Sequence, residues 1–337
     1  MAFDLRELAV PVIVAPMAGG PSTPELAAAG STAGGLGFVA AGYLTADALA
    51  DRIAAARALT TGPLGVNLFA SQPSTAQPSE IDRYATELAS EVTRYGVALG
   101  NPQFNDDHWA AKLDVALDLR PEVVSFTFGG PTADECARLR QAGITTVATV
   151  VTVAEARQAL ASGVDALAVQ GPGAGGHRGT YDPLAAPATQ PLAELLADVL
   201  AIADLPVVAA GGLMTADDVA AVTAAGAVAA QLGTAFLLAD EAGSSPVHRT
   251  ALVDPRFTET VVTKAFSGRY ARGLRNRFID EHDAQAPLGY PEVHYLTSPV
   301  RKAAVAAGDP DGTNVWAGTG FRKIRSGSVA DIMAGLV

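Results

Sequence analysis

The chain is short of the residues on which several kinds of protein depend. It has one cysteine, Cys136, among 337 residues. No internal disulfide can form, and no cysteine-built zinc or iron–sulfur site fits within one chain. No metal site is expected. Aromatic residues make up 6%, too sparse for a platform on which bases would stack. Positive charge is also scarce: 23 Lys and Arg face 35 Asp and Glu, a net charge of −12. Such a surface repels phosphate backbones, so nucleic acid is not an expected partner. Charged residues of both signs total only 17%, against 49% hydrophobic. That balance is the reverse of a disordered chain's and supplies a large core. The length suits two ordinary domains or one large barrel.

Unbroken apolar segments of membrane length are missing too. The charge-free stretches Leu26–Ala46 and Val219–Ala239 are long enough to span a bilayer. The first is broken by Gly30, Gly34, Gly35, Gly37 and Gly42, the second by Gly226, Gln231 and Gly233. Each reads as a helix, a glycine turn and a buried strand. The apolar run Leu8–Ala15 follows Asp4 and Glu7 rather than a basic segment, unlike a secretory signal. A soluble, cytoplasmic protein without a membrane partner is expected.

What is present is a rhythm. Short, β-rich apolar runs occur at Val12–Ala15, Leu36–Val39, Leu64–Leu68, Val123–Phe126, Thr145–Thr149, Ala166–Val169, Val207–Ala210 and Val228–Gln231. They do not alternate with polar residues, as befits strands of a parallel sheet covered on both faces. Between them lie Ala/Leu-rich segments with helix-start signals at Thr45, Pro131-Thr-Ala-Asp-Glu, Thr152 and Thr215-Ala-Asp-Asp. Gly143, Gly163 and Gly226 mark helix ends ahead of strands. About eight such strand–helix units predict an α/β fold, a (β/α)8 TIM barrel. A doubly wound open sheet is the alternative, but no Gly-x-Gly-x-x-Gly follows the first strand.

Two segments break the rhythm. Ala70–Pro78 is a polar excursion leading into a helical stretch, Glu80–Tyr95. After Ala251 the pattern changes: Thr258–Phe266 reads as a strand, Arg269–Asp280 as a basic loop and helix, Ser298–Ala307 as a helix. The expected organisation is a barrel over 1–252, a small lid domain over 253–297 and a segment, 298–337, returning to the barrel.

A barrel's chemistry sits in the loops after its strands. The first strand leads into Pro16-Met17-Ala18-Gly19-Gly20, and the third ends with Asn67 near its tip. Glycines after strands seven and eight, in Gly211-Gly212-Leu213-Met214 and Gln231-Leu232-Gly233-Thr234, let backbone amides approach an anion, and following helix N-termini would add positive potential. They are either a phosphate cradle or a pair of ordinary turns. The loop Gln170–Gly179 carries five glycines and His177. Glycine there permits close backbone contact with a flat ligand. His177 is a candidate acid–base residue, whereas His108, His248, His282 and His294 are taken as structural. Asn67 and Gln170 either hydrogen-bond a ligand's amide edge or cap the barrel mouth. Cys136 reads as a buried, inert thiol. Lys264, Arg269, Arg272, Arg275 and Arg277 form a basic group, serving an anion or a set of ion pairs.

Taken in order, Ala15-Pro-Met-Ala-Gly-Gly, Gly65-Val-Asn-Leu-Phe, Val124-Ser-Phe-Thr-Phe-Gly, Ala174-Gly-Gly-His-Arg-Gly, Ala209-Ala-Gly-Gly-Leu and Gln231-Leu-Gly-Thr-Ala-Phe resemble the nitronate monooxygenase family, formerly the 2-nitropropane dioxygenases. Ser267–Phe278 and Trp316-Ala-Gly-Thr-Gly are similar to the family as well. The resemblance implies an FMN-binding barrel that oxidises alkyl nitronates with O2 to carbonyl compounds and nitrite. It implies that Met17, Asn67, Gln170, Gly175, Gly212, Gln231, Leu232, Gly233 and Thr234 hold FMN. His177 then faces substrate, as a base toward a neutral nitroalkane or as an imidazolium holding a nitronate. The partners implied are a small anionic nitronate and O2, in a monomer or homodimer. Gly173 stands where the family usually has glutamate. The rival readings are a flavin-dependent enoyl-acyl-carrier-protein reductase, an inosine-monophosphate-dehydrogenase-like barrel and a catalytically silent FMN or phosphate binder. The second needs a nucleophilic cysteine in a site loop, and Cys136 lies on a predicted helix.

Overall fold

The computed structural model describes residues 2–337. Strands β1 (Val12–Val14), β2 (Leu36–Ala40), β3 (Leu64–Phe69), β4 (Val123–Thr127), β5 (Thr145–Val150) and β6 (Ala166–Gln170) run parallel in sequence order. The two-residue strand β7 (Gly176–His177) lies outside the barrel, which β8 (Val207–Ala210) and β9 (Ala229–Leu232) complete. Closure is by β1 on β9, with Ile13 opposite Gln231. All eight expected runs are barrel strands, shifted by no more than a residue or two at their ends. The predicted TIM barrel is therefore the observed fold.

The barrel is filled rather than hollow. Ile13, Leu36, Phe38, Val123, Val147 and Val208 meet in its interior together with Leu5 from the N-terminal turn. β3 contributes Gly65 here, and Phe38 fills the room: a Cβ on Gly65 would lie 2.4 Å from the Phe38 ring. Outside, the helices dock on the opposite strand faces. Thr45, Thr132, Thr152 and Thr215 each cap a helix by accepting the N3 amide proton, as the sequence signals require. Glu135 and Asp218 complete reciprocal capping boxes.

A second layer covers the C-terminal mouth. Strand β10 (Thr260–Thr263) pairs antiparallel with β11 (Ala271–Leu274), which pairs in turn with β7, so that His177 faces Ala271 across the ladder. The glycine loop is thus the edge of a three-stranded sheet, a pairing that no local pattern announces. The cover has its own core. Ile81 and Tyr84 from helix Pro78–Glu87, and Leu88 at its junction with helix Ala89–Tyr95, pack with Phe266, Phe278, Val293, Leu296 and Val300. A bidentate ion pair, Arg277 on fully buried Glu91 at 2.5 and 2.8 Å, joins the same segments. The last long helix starts earlier than expected, at Glu292, and continues through Pro299 to Ala306. Proline there reads locally as a helix start, but packing against the cover core overrides it. Among the described residues no helix is long and apolar enough to cross a membrane.

Strand–helix contact is closest at Gly37, where a Cβ would lie 1.8 Å from the Ala27 carbonyl oxygen. Gly37→Ala should force helix Pro24–Thr32 off the barrel and cost about 1–3 kcal/mol, as overpacking does. Chemical denaturation measures this, and an unchanged midpoint would show that the helix yields freely.

Candidate active site

The loops at the C-terminal strand ends enclose a cavity of about 760 Å3. Met17, Asn67, Gln170, Gly175, His177, Gly212, Gln231, Leu232, Gly233 and Thr234 all line it. Residues 217 positions apart in the chain thus meet in one site because each follows a neighbouring barrel strand.

The glycine loop is held by polar contacts. Gln170 Nε2 donates to the His177 carbonyl at 3.1 Å, and its Oε1 accepts from Gly179 N at 2.9 Å. The amide edge of Gln170 is therefore engaged with its own loop. Arg178, 1% exposed, donates to the carbonyls of Gly171 and Gln170. Close packing accounts for two glycines. A Cβ on Gly175 would lie 2.5 Å from the backbone of Ala317 and Gly318. One on Gly173 would lie 2.8 Å from Thr319 Oγ1. The segment around Thr319, whose amide donates to the Gly173 carbonyl, thus fills the space a glutamate side chain would enter.

The two glycine turns differ from expectation in one respect. The last barrel strand runs not into a helix but into one 3-10 turn, Thr234–Phe236. At the other turn, helix Ala216–Ala224 does follow, but Asp218 already accepts from the amides of Met214 and Thr215. Helix dipoles therefore contribute less than the sequence suggests. Free donors remain: among the described residues no acceptor meets the amides of Gly212, Leu213 or Gly233. Gly211 and Gly212 adopt φ of 110° and 84°, which side-chain-bearing residues rarely tolerate. Thr234 Oγ1 accepts from Gly318 N at 2.9 Å. Asn67 Nδ2 donates to Ser125 Oγ at 2.9 Å and Thr127 Oγ1 at 3.1 Å. Ser22 Oγ accepts from Met17 N at 2.8 Å, pinning the first loop.

His177 sits among Phe128, Tyr290 and Trp316, with ring centroids 5.5–5.8 Å away. Its Nε2 lies 2.9 Å from Ser267 Oγ, and that hydroxyl donates to the Arg269 carbonyl. A hydroxyl with its one proton so committed accepts from the ring. Nε2 therefore carries the proton, and Nδ1 keeps its lone pair without a partner among the described residues. Burial, with Arg269 and Arg301 nearby, lowers the His177 pKa to about 3. The ring is neutral at physiological pH.

Several residues of this site escape sequence reasoning. His248 and His294, expected to be structural, both line the cavity, as do Tyr43, Arg301 and Lys302. Tyr43 lies in the loop after β2, whereas the others come from helices Glu292–Ala306 and Pro246–Val253, where no glycine turn marks a site. The basic group resolves into structural contacts instead. Lys264 donates to the Asp283 carbonyl, Arg272 to the Pro172 carbonyl, Arg275 pairs with Glu259 and Asp280, and Arg277 with Glu91. Arg269 is buried against the Phe128 ring, 3.9 Å from its centroid. None of the five lines the cavity. Cys136 is buried on its helix, with burial raising its pKa to about 11. Glu91, Glu281 and His282 lie close enough to share an ion, but the Arg277 guanidinium already pairs with both carboxylates.

Three neutral histidines in one cavity make acid a stress on the fold. Burial lowers the pKa of His177 to about 3, His248 to about 4 and His294 to about 2. Below pH 6.5 the unfolded chain takes up protons that the folded chain refuses, so stability falls with pH. At pH 5 the loss should reach about 2 kcal/mol per histidine. Denaturation midpoints at pH 7 and pH 5 test this, and His248→Asn should reduce the pH dependence by about one proton. A midpoint unaffected by pH would contradict it.

Comparison with known proteins places this geometry. The profile of the nitronate monooxygenase family matches residues 4–337. A probable nitronate monooxygenase of Staphylococcus aureus (strain JH9) is 36% identical over 99% of this chain and 95% of its own. The crystal structure of nitroalkane oxidase from Streptomyces ansochromogenes superposes with a TM-score of 0.93 at 48% identity, covering 98% of this chain and 95% of that one. FabK from Thermotoga maritima is more distant, with a TM-score of 0.75 at 26% identity over 98% and 93% of the two chains. A full-length match in sequence, and a barrel and cover shared with a nitroalkane oxidase, identify the chain as an enzyme of the nitronate monooxygenase family.

Proposed function

We propose that the cavity binds FMN and that the enzyme oxidises alkyl nitronates, and the nitroalkanes from which they derive, with O2 to carbonyl compounds and nitrite. The observation that carries this reading is His177: a neutral imidazole with an unpartnered Nδ1 in a cavity that also offers free backbone amides. The residues present fit FMN. Gly212, Leu213 and Gly233 would receive its phosphate on their free amides, and a Cβ on Gly233 would sit 3.5 Å from Met17 Sδ, narrowing that cradle. Asn67, Gln231 and Met17 would border the ring system. A volume of about 760 Å3 is in the range of cofactor sites. When bound, FMN supplies the electron acceptance and the reactivity toward O2.

The protein's own part is acid–base chemistry and positioning. His177 Nδ1 takes the α-proton of a neutral nitroalkane, while Ser267 holds the opposite ring nitrogen and so sets the tautomer. Burial, with Arg269 and Arg301, disfavours a standing imidazolium, which argues against the anion-anchor role and leaves the ring in the unprotonated state a base requires. The ring walls of Phe128, Tyr290 and Trp316 keep water from the reacting carbon.

The purified protein should be yellow, with FMN rather than FAD. Gly233→Asp puts a carboxylate beside the phosphate and should strip the flavin, as the absorbance spectrum and extracted cofactor will show. FAD in the extract, or full occupancy in the variant, contradicts the cradle.

His177→Asn should keep flavin but lower nitroalkane turnover by roughly a hundred- to ten-thousandfold, the usual worth of a general base. Oxidation of a nitronate supplied already deprotonated should survive. A base with a pKa of about 3 is active above that value. The wild-type kcat/KM for nitroalkane should therefore not fall as pH drops from 7 to 5. A loss centred near pH 6.5 would show that His177 is not held neutral. Rapid reduction of the flavin by NADH, with no turnover of either nitro compound, would favour the enoyl-acyl-carrier-protein reductase reading instead.

A further inference from the structure

Helix Glu292–Ala306 presents His294, Ser298, Arg301 and Lys302 to the same cavity as the glycine loop. His294 is the most constrained of these. Its ring stacks on Tyr43, with centroids 4.3 Å apart and planes within 3°. Arg301 Nη2 lies 3.3 Å from His294 Nδ1 and 2.8 Å from the His294 carbonyl oxygen. A guanidinium has only protons to offer, so Nδ1 must accept. In a neutral ring the proton then resides on Nε2. Among the described residues that nitrogen has no partner, and it is not one of the buried, unsatisfied polar atoms.

Arg301 is itself held in place. It donates to Thr297 Oγ1 and to Asn314 Oδ1, both at 3.0 Å, and no carboxylate lies within ion-pair distance among the described residues. Its full positive charge therefore stands behind the imidazole. It repels a second proton and polarises the Nε2–H bond outward. Burial and Arg301 together lower the His294 pKa to about 2. His177 and His294 are thus locked in complementary states. His177 shows a lone pair, and His294 shows a proton.

We propose that His294 is a second catalytic residue, whose Nε2–H donates to a nitro oxygen of the substrate while His177 Nδ1 removes the α-proton. Arg301 is a positioning residue that fixes the tautomer. This rests on the nitroalkane reading above. In the step, the Cα–H bond breaks and its proton passes to His177 Nδ1. The C–H electron pair becomes the C=N bond of the nitronate. The N=O π pair moves onto the oxygen that faces His294. Negative charge thus grows where a preorganised donor stands, so the donor binds the transition state more tightly than the neutral substrate. A nitronate supplied from solution meets the same donor without needing the base.

The test uses the flavin-loaded enzyme with nitroethane as substrate and propionate, a carboxylate of the same shape, as a non-reacting probe. His294→Phe keeps a ring to stack on Tyr43 but has no donor, whereas His294→Gln keeps an N–H of similar reach. Flavin content should be unchanged in both. In His294→Phe, kcat/KM for nitroethane and affinity for propionate should each fall roughly ten- to hundredfold, and His294→Gln should recover most of both. Wild-type values for both probes in His294→Phe would overturn the proposal, as would equal losses in Phe and Gln. Nitrogen NMR of wild-type enzyme carrying labelled histidine is independent of any variant's folding: it should show His294 protonated at Nε2 alone, and a proton on Nδ1 would overturn the assignment. If His177→Asn abolishes nitroethane turnover and His294→Phe does not, the inference about His294 fails alone. If both variants turn over nitroethane normally, the roles of both histidines fail, and if the wild-type flavin-loaded enzyme turns over no nitroethane, the nitroalkane reading itself fails.

Discussion

A loop that is half glycine has few side chains with which to hold its shape. In this protein that loop carries His177, the proposed base, so the geometry of the site depends on how Gln170–Gly179 is restrained. The restraint is a buried hydrogen-bond set. Gln170 spans the loop from the His177 carbonyl to the Gly179 amide, and the Arg178 guanidinium gathers the carbonyls of Gly171 and Gln170. A buried guanidinium is costly to desolvate, and burial draws the Arg178 pKa down to about 10. The cost is offset because the carbonyls it satisfies would otherwise be buried unpaired. Ladder pairing with β11 then fixes the strand direction at His177.

This arrangement gives the site two kinds of wall. One is the barrel mouth, where short loops on rigid parallel strands set positions closely. The other is the cover, a sheet and helices that bring His177 its tautomer through Ser267 and bring His294 its tautomer through Arg301. Burial, reinforced at His177 and His294 by the charge of Arg301, keeps the imidazoles of the cavity unprotonated. In the proposed reaction both histidines act through hydrogen-bond direction rather than through net charge.

The barrel could be read from sequence because each strand is apolar on both faces and each following helix begins at a capping threonine, both of which are local signals. The site residues of the barrel were legible for a related reason: the fold dictates that loops after strands meet, so position in the strand–helix rhythm implies position in space. The cover lacks such a rule. β7 is two residues long, and its partner is encoded about a hundred positions later. Arg277 reads as one of a basic group until Glu91 is found beneath it, 186 residues away in the chain. His294 lies on a helix that sequence starts too late, so its one-face spacing with Ser298, Arg301 and Lys302 goes unseen. The helix-dipole expectation at Gly233 failed because a turn of 3-10 helix and a true helix begin with the same small residues.

The ion pair between Glu91 and Arg277 also bears on how the protein is made. Ile81, Tyr84 and Leu88 pack on residues that extend to Val300. On the ribosome the first group is synthesised some two hundred residues before the last, an interval on the order of ten to forty seconds at ordinary elongation rates. All eight barrel strands have been synthesised by Leu232, while the pieces of the cover remain incomplete. For that interval the nascent chain carries an apolar helical pair and a buried-type glutamate with no partner. High contact order of this kind makes the cover the late and slow part of folding, and the active site is assembled only once it docks.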